Sequence, residues 1–508
     1  MTDDQTEVIA FLAEGAGLAR PPVEVEQIET HAARVFLIGE RAYKLKRAVR
    51  YSFLDFGTVA RRRTALEAEL RLNRRTAPDL YCRVLPITRE VGRGLALDGR
   101  GEVVDWVLEM ARFDQDQRLD RLAVRGELDD PLIEQLAEAI ADFHEAAEVR
   151  PDQGGADAVH AVLAGNFDDL AGLGAPAGPL GRLKDLSLAA LARDQGLLDR
   201  RRAEGRVRHC HGDLHLANIV RLDGRPVLFD CLEFDEALAT IDTLYDLAFL
   251  LMDLVHRGRG DAAGLLLDSY LERQPDDAGT ALLPLFMSCR AAIRAKVEGF
   301  EASADDDPAD RASAAEEERS YLDLALGLLA PAPAWLVAIG GRSGTGKSTL
   351  GRRLAPGFGP APGAHLLRSD RQRKRLCGVA PTHRLGEAGY QLEVTSKVYA
   401  ALADRATVLL RAGRAVIVDA VFGRPDERAA IEAVAGAAGV PFTGLWLEAP
   451  ETVLEARVAA RTGDASDATV EIVRRQRALD PGPIGWQRLD ASGSPEGLEA
   501  TALQRLHD

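Results

Sequence analysis

Gly341-Arg342-Ser343-Gly344-Thr345-Gly346-Lys347-Ser348 fills every fixed position of the pattern G-x-x-x-x-G-K-[ST]. The run before it, Trp335 to Ile339, is apolar and reads as a buried strand. Leu350 and Leu354 after it stand four apart, as on the buried face of a helix. Strand, glycine loop and helix in that order make the match a phosphate-binding P-loop. Glycines let backbone N–H groups turn inward around a phosphate. Gly341, Ser343, Gly344, Thr345, Gly346, Lys347, Ser348 and Thr349 are therefore the nucleotide-binding candidates. Lys347 is expected to reach the β- and γ-phosphates of ATP and to act in the transfer. Ser348 is expected to bind Mg²⁺, and the helix N-terminus favours the negative charge.

Working outward, the chain around this loop alternates strand and helix, with strands at 335–339, 365–368, 415–418 and 443–447. That is an α/β pattern with a parallel sheet. His365-Leu366-Leu367-Arg368-Ser369-Asp370 ends a strand in a carboxylate. Ligands of open α/β sheets sit at the C-terminal ends of strands, so Asp370 is a candidate base for a substrate hydroxyl. An aspartate there is also a good helix cap. The run Arg371-Gln372-Arg373-Lys374-Arg375 reads either as a cradle for an anionic substrate or as a solvated helix face. Ala415-Val416-Ile417-Val418-Asp419 is a second strand ending in aspartate, which makes Asp419 a candidate ligand of the Mg²⁺ shell. Arg457 and Arg461, four apart on a helix, are either lid arginines that close over the phosphates or exposed helix residues.

The remaining two thirds of the chain have another character. The 508 residues exceed what one core organises. From Ala334 onward there are 23 Lys and Arg against 19 Asp and Glu, a balance of +4 within a chain of −16. The first 333 residues therefore carry −20, which excludes non-specific nucleic-acid binding there and leaves nucleic acid as a partner only for the C-terminal half. No run of about 18 apolar residues occurs, so no membrane span is expected. The acidic N-terminus lacks a signal-peptide pattern, and cysteines 82, 210, 231, 289 and 377 form no C-x-x-C pair. A cytoplasmic protein with reduced thiols is expected, without structural zinc or disulfides.

Short β-like runs occupy Val23 to Val25, Arg34 to Ile38 and Ala42 to Lys46, with a Gly39-Glu40 turn. An amphipathic helix follows from Arg61 to Arg74, then strands near Val84 to Ile87 and Val103 to Met110. From Asp130 the pattern is mostly helical, with Gly/Ala/Pro-rich 171–181 as a loop and acidic Asp305-Asp306-Asp307 as a loop or linker. Pro331-Ala332-Pro333 precedes the P-loop strand, and the domain boundary is placed near 331.

Within the helical part stands His211-Gly212-Asp213-Leu214-His215-Leu216-Ala217-Asn218. Its Asp-to-Asn spacing matches the kinase catalytic loop H-x-D-x-x-x-x-N. One carboxylate meets the substrate hydroxyl while an amide on the same tight loop holds a metal bound to ATP. The chain then forms a hairpin through an Asp223-Gly224 turn, and Asp230 ends its second strand where a kinase carries its metal aspartate. Cys231-Leu232-Glu233 replaces the usual Phe-Gly. Lys44, in Arg41-Ala42-Tyr43-Lys44, stands where a kinase carries its strand lysine, with Lys46 on the same strand face as the second candidate. Glu67 and Glu69 on the next helix are the glutamate candidates, Glu69 preferred. The histidines at 209, 211 and 215 lack a metal set and fit the catalytic-loop reading better than zinc.

These residues resemble the aminoglycoside phosphotransferase and choline kinase-like family over roughly 20–300. Asp242 and Asp246, in Ile241-Asp242-Thr243-Leu244-Tyr245-Asp246, resemble that family's motif after the metal aspartate. The resemblance implies a bilobal protein-kinase-like fold, with a small lobe over about 20–110 and a helical lobe over about 111–330. It implies ATP with Mg²⁺, Asp213 as base, Asn218 and Asp230 as metal ligands, and transfer to a small-molecule hydroxyl. The loop over the phosphates would fall near Thr30 to Arg34. From 335 to about 490 the chain resembles AAA-domain P-loop kinases, relatives of gluconate kinase, polynucleotide 5′-kinase and zeta toxins. The whole resembles a bacterial fusion family, with domains at 1–330 and 331–508.

The expectation is an ATP-dependent enzyme of mixed α/β and α+β architecture with two kinase sites. The first would act on a sugar or amino-sugar type of molecule, the second on a small anionic molecule or a nucleic-acid end. A regulatory ATP-binding protein with one silent half, and a toxin-like kinase, are the other readings.

Overall fold

Ala33–Ile38 (β2) runs almost unbroken in apolar residues and Arg41–Lys46 (β3) places Ala42 and Leu45 on opposite faces, and the tight turn between them sets their register, Phe36 opposite Tyr43. In this computed structural model they belong to a six-stranded antiparallel sheet with Glu26–Glu29 (β1), Tyr81–Glu90 (β4), Gly94–Leu97 (β5) and Glu102–Ala111 (β6), in the order β1-β2-β3-β6-β4-β5. One face buries Phe36, Tyr43, Leu45, Leu85 and Val107 against Val8 and Leu12 of the helix Thr6–Ala13. The other buries Leu37, Ala42 and Leu108 against Leu66 of the helix Val59–Asn73. Period-2 alternation therefore turns Lys44 and Lys46 toward the helix that carries Glu69.

The structure describes residues 3–16, 25–30, 32–50, 55–304, 307–380, 383–460, 466–477 and 480–507. Val23, Glu24, His31, Asp305, Asp306 and Arg461 lie outside the described residues. The chain forms two compact units, 1–155 with 201–250, and 156–200 with 251–508.

The first unit continues with the helix Asp130–Ala146, whose N-cap Asp129 accepts from Leu132 N at 2.9 Å. Val207–His209 (β7) leads into the Asp213 loop. Ile219–Leu222 (β8) and Arg225–Leu228 (β9) form the expected hairpin, with Asp223 and Gly224 both at positive φ, as a two-residue turn requires. Thr240–Asp242 (β10) pairs back on β7.

The second unit takes in all but the end residues of helices Gly155–Gly172 and Ala177–Ala203, so the stretch read as a loop shrinks to 173–176. Leu183, Leu191 and Leu198 give the second helix a buried face, and Pro179 in its first turn forfeits no helical hydrogen bond. The unit's sheet holds Leu336–Gly341 (β11), His365–Arg368 (β12), Val416–Asp419 (β13), Phe442–Glu448 (β14) and Gln487–Asp490 (β15). All pairings are parallel, in the order β12-β13-β11-β14-β15. β11, β13 and β14 lie inside the sheet and carry near-continuous apolar runs, as strands buried on both faces do. Helices Leu392–Arg411 and Pro425–Ala438 cover one face, and Lys347–Leu354 and Pro495–His507 the other. β15 escaped the sequence reading because this short edge strand holds three polar residues in four. Residues 251–330, on the N-terminal side of the expected boundary at 331, share this compact unit with the parallel sheet. Among the described residues no helix is long and apolar enough to cross a membrane, and all five cysteines are free thiols.

Candidate active sites

In the first unit, Lys44 Nζ lies 2.7 Å from Glu69 Oε1 and 2.6 Å from Asp230 Oδ1. Glu67 faces outward and pairs with Arg63 at 2.8 Å. Lys46 reaches Glu69 Oε2 at 2.6 Å and also meets Glu233. Glu69 is fully buried, and a lone carboxylate there would be very costly; two ammonium groups offset its desolvation. Burial opposes the charge of Lys44, but Asp230 and Glu69 hold its pKa well above the ordinary lysine value. Burial likewise opposes the Asp230 carboxylate, yet Lys44 and Lys46 bring its pKa below the ordinary value.

Asp230 has φ +61°, the left-handed region that a non-glycine residue enters at a cost of about 1 kcal/mol. Two hydrogen bonds hold the turn: Asp230 N donates to Tyr81 Oη at 3.0 Å and Cys231 N to Asn73 Oδ1 at 2.8 Å. Asn73 ends the helix that carries Glu69, so one helix sets both carboxylates around Lys44.

Asn218 Nδ2 donates to Asp213 Oδ2 at 2.8 Å and to Asp213 O at 2.9 Å, which draws the two ends of the loop together. Asp213 keeps 40 % of its side chain exposed, and the His215 ring stands 3.5 Å from it. The loop hangs from the buried Asp246, which accepts from Gly212 N at 2.9 Å and His211 N at 3.1 Å and meets His144 Nε2 at 3.1 Å. Gly212 has φ +84°, and a Cβ there would stand 3.0 Å from Leu232 Cβ, so only glycine fits without displacement. Asp242 accepts both Nε and a terminal nitrogen of Arg201, at 2.7 and 2.8 Å. Arg75 donates to the carbonyls of His209 and Cys210 at 2.8 and 3.1 Å. Asn73, Arg75, Tyr81, His144 and Arg201 escaped the sequence reading. Each acts on a partner 41 to 158 residues away, and no local spacing marks such a pairing.

In the second unit the P-loop runs from the end of β11 into the helix Lys347–Leu354. A Cβ on Gly341 would come within 2.6 Å of Leu447 O, and one on Gly344 within 2.9 Å of Leu454 O. Ser343 N donates to Gln476 Oε1 at 2.8 Å, and Gln476 Nε2 returns a bond to Ser343 Oγ at 3.1 Å. Thr345 Oγ1 and Lys347 Nζ both donate to Arg342 O, at 2.8 and 3.0 Å. Ser348 Oγ hydrogen-bonds the buried Asp419 carboxylate. The parallel register sets Asp419 level with Ile339 and Arg368 on its two neighbouring strands. Asp370 opens the helix Ser369–Leu376 beside them. Burial and then the Asp419 charge raise its pKa, against Ser466, Arg368 and Lys347, so Asp370, Asp419 and Lys347 share one neighbourhood. Thr349, Thr345 and Gly346 border an open cavity of about 260 Å³ that Gly493 and Leu498 also line.

Two expectations need correction. Arg457 borders this cavity, but its guanidinium donates to Ala491 O and Gly493 O at 2.8 and 3.0 Å. It ties down the turn after β15 and is neither exposed nor turned to a lid. Three cations of the basic run are engaged within the protein rather than turned to an anion: Arg371 pairs with Glu272, Lys374 with Asp467, and Arg373 donates to Gly389 O and Thr395 Oγ1. Arg373 and Lys374 are buried, so the run is not a solvated face either.

The donor sets fit Mg²⁺: Asn218 and Asp230 in the first unit, Ser348 and Asp419 in the second, all hard oxygen ligands. A family model described as a phosphotransferase enzyme family matches residues 32–283, and one described as an AAA domain matches 336–481. An uncharacterized protein of Mycobacterium tuberculosis (strain H37Rv) is 32% identical over 482 residues, 92% of each chain. Among solved structures, a choline/ethanolamine kinase family protein from Mesorhizobium loti is 14% identical. The match covers 64% of this chain and 98% of that one, with a TM-score of 0.39. A gluconokinase from Sinorhizobium meliloti is 22% identical, covering 34% and 92%, with a TM-score of 0.26. Kinases of these classes use ATP with a divalent metal ion. The chain belongs to the same family as the mycobacterial protein, and it joins a phosphotransferase-family segment to an AAA-domain P-loop segment in one ATP-dependent kinase.

Proposed function

We propose that the chain holds two phosphoryl-transfer sites, each with its own ATP. The observation that carries this reading is Lys44 bridging Glu69 and Asp230 in one unit, while a complete P-loop stands in the other. In the first site Lys44, held by Glu69, orients the nucleotide phosphates, and Asn218 and Asp230 hold Mg²⁺. Asp213 accepts the proton of the acceptor hydroxyl. In the second site the backbone of 341–346 and Lys347 cradle the phosphates, Ser348 and Asp419 hold Mg²⁺, and Asp370 is the base. Bound Mg²⁺ neutralises phosphate charge, and the protein contributes positioning.

The acceptor of the first site is a hydroxyl of a small polar molecule of the sugar or amino-sugar type. The acceptor of the second is a hydroxyl of a small anionic molecule. With Arg371, Arg373 and Lys374 engaged within the protein, the anionic reading rests on the balance of +4 from Ala334 onward and on Arg368 near the end of β12, 3.8 Å from the Asp419 carboxylate. Equilibrium binding of a non-hydrolysable ATP analogue with Mg²⁺ tests the reading. Two sites per chain are expected, one removed by Lys347→Ala and the other weakened by Lys44→Met. A stoichiometry of one, unchanged by either substitution, would contradict it.

A further inference from the structure

Among the described residues β12 is an edge strand that pairs with β13 alone, so its outer backbone amides need partners or cover. The cover comes from outside the 336–481 segment. Leu366 N donates to Asp268 Oδ2 at 2.8 Å, and Asp268 Oδ1 lies 2.7 Å from His365 Nδ1. Asp268 stands on the helix Gly260–Arg273, and one turn further on Glu272 Oε2 accepts two nitrogens of Arg371, at 2.9 and 2.8 Å. Arg371 directly follows Asp370. Just beyond the helix, Asp277 takes Arg405 of the helix Leu392–Arg411 through two bonds of 2.9 Å.

Three carboxylates thus meet three elements around Asp370 and its strand: β12, the helix Ser369–Leu376 and the helix Leu392–Arg411. Glu272 is 24 % exposed and Arg371 11 %, a setting in which a two-bond ion pair fixes geometry better than a fully solvated one does. Burial opposes the charge of Arg405, yet Asp277 raises its pKa above the ordinary arginine value. Residues 268, 272 and 277 all lie within 32–283, the stretch that matches the phosphotransferase family.

We propose that Asp268 and Glu272 are positioning residues for the P-loop kinase: by fixing β12 and the start of the next helix they set where Asp370 stands. The P-loop kinase is then not self-sufficient, since its acceptor side is mounted on a helix of the preceding segment. This rests on the reading of Asp370 as the acceptor-side base.

The test uses the full chain carrying Asp213→Asn, with ATP, Mg²⁺ and water as the acceptor, so that only the P-loop site turns over. Glu272→Ala is expected to lower kcat about 10-fold, because a small misplacement of a reacting group is costly, with KM for ATP within about twofold. Glu272→Gln, which keeps an oxygen for Arg371, is expected to stay within about threefold of the parent. Unchanged kcat in Glu272→Ala would overturn the proposal. So would a KM for ATP that rises in step with the loss, or a Gln variant as damaged as the Ala variant. Hydrogen exchange supplies a second measurement. Asp268→Ala should speed exchange across 365–376 and leave β11 protected, and unchanged exchange there would overturn the mounting itself. If Lys347→Ala in the same background hydrolyses ATP as fast as the parent, the two-site reading fails. The exchange result still judges the mounting separately.

Discussion

Asp213 and Asn218 are held together by two hydrogen bonds on one short loop, which leaves little freedom for the carboxylate that meets the acceptor. Replacing Asp213 by Asn keeps the shape and removes the proton acceptor. Phosphoryl transfer at the first site should fall about 10²- to 10⁴-fold with nucleotide affinity retained, as measured by steady-state kinetics beside equilibrium binding. Asp230 makes a prediction about acid stability. Its folded pKa lies below 3.8, so its contribution is present above that value and is lost as pH falls through the folded value. Lys44 stays charged through the neutral range because its pKa is raised further. Wild type should therefore lose more stability than Asp230→Asn when acidified below about pH 4, read from urea midpoints. Equal losses would detach Asp230 from Lys44. The residues the structure gathers here were legible where they share one loop, as Asp213 and Asn218 do. Glu69 was preferred to Glu67 on the sequence, and the fold gives the reason, because both sit on one helix whose rotation turns Glu69 inward to Lys44 and Glu67 outward to Arg63.

At the scale of elements, the P-loop is fixed by close approach and by one distant side chain. Gly344 has φ +88° and no room for a Cβ beside Leu454 O. Gly344→Ala should cost about 1–2 kcal/mol from conformation alone and abolish nucleotide binding at the second site, measured by calorimetry. Gln476 clasps Ser343 by two bonds. Gln476→Ala should weaken nucleotide binding there by about 1–2 kcal/mol, roughly the net value of the hydrogen bonds lost, and leave the first site untouched. The glycines were legible as a spaced motif, whereas Gln476 lies 133 residues away with no pattern to mark it. Strands β11, β13 and β14 were legible because burial on both faces demands near-continuous apolar runs. The helix starting at Ala177 was obscured by Gly178, Pro179 and Gly181, whose local preferences its buried leucines override.

Across the whole molecule, a family boundary in the chain and a boundary in its packing need not coincide. Pro331 to Pro333 marks the seam between two sequence patterns, while residues 251–330 pack with the parallel sheet that follows. Ion pairs there join residues 99 and 128 apart, Glu272 with Arg371 and Asp277 with Arg405, and composition carries no trace of them. The two-site account still requires that each chemistry be separable by one substitution. The most direct measurement is phosphoryl transfer from γ-labelled ATP into a bacterial metabolite extract, resolved by mass spectrometry, with wild type, Asp213→Asn and Lys347→Ala in parallel. The account predicts at least two new phosphorylated species, one lost only in Asp213→Asn and another lost only in Lys347→Ala. A single species lost in both, or none in wild type while ATP binds at both sites, would contradict it.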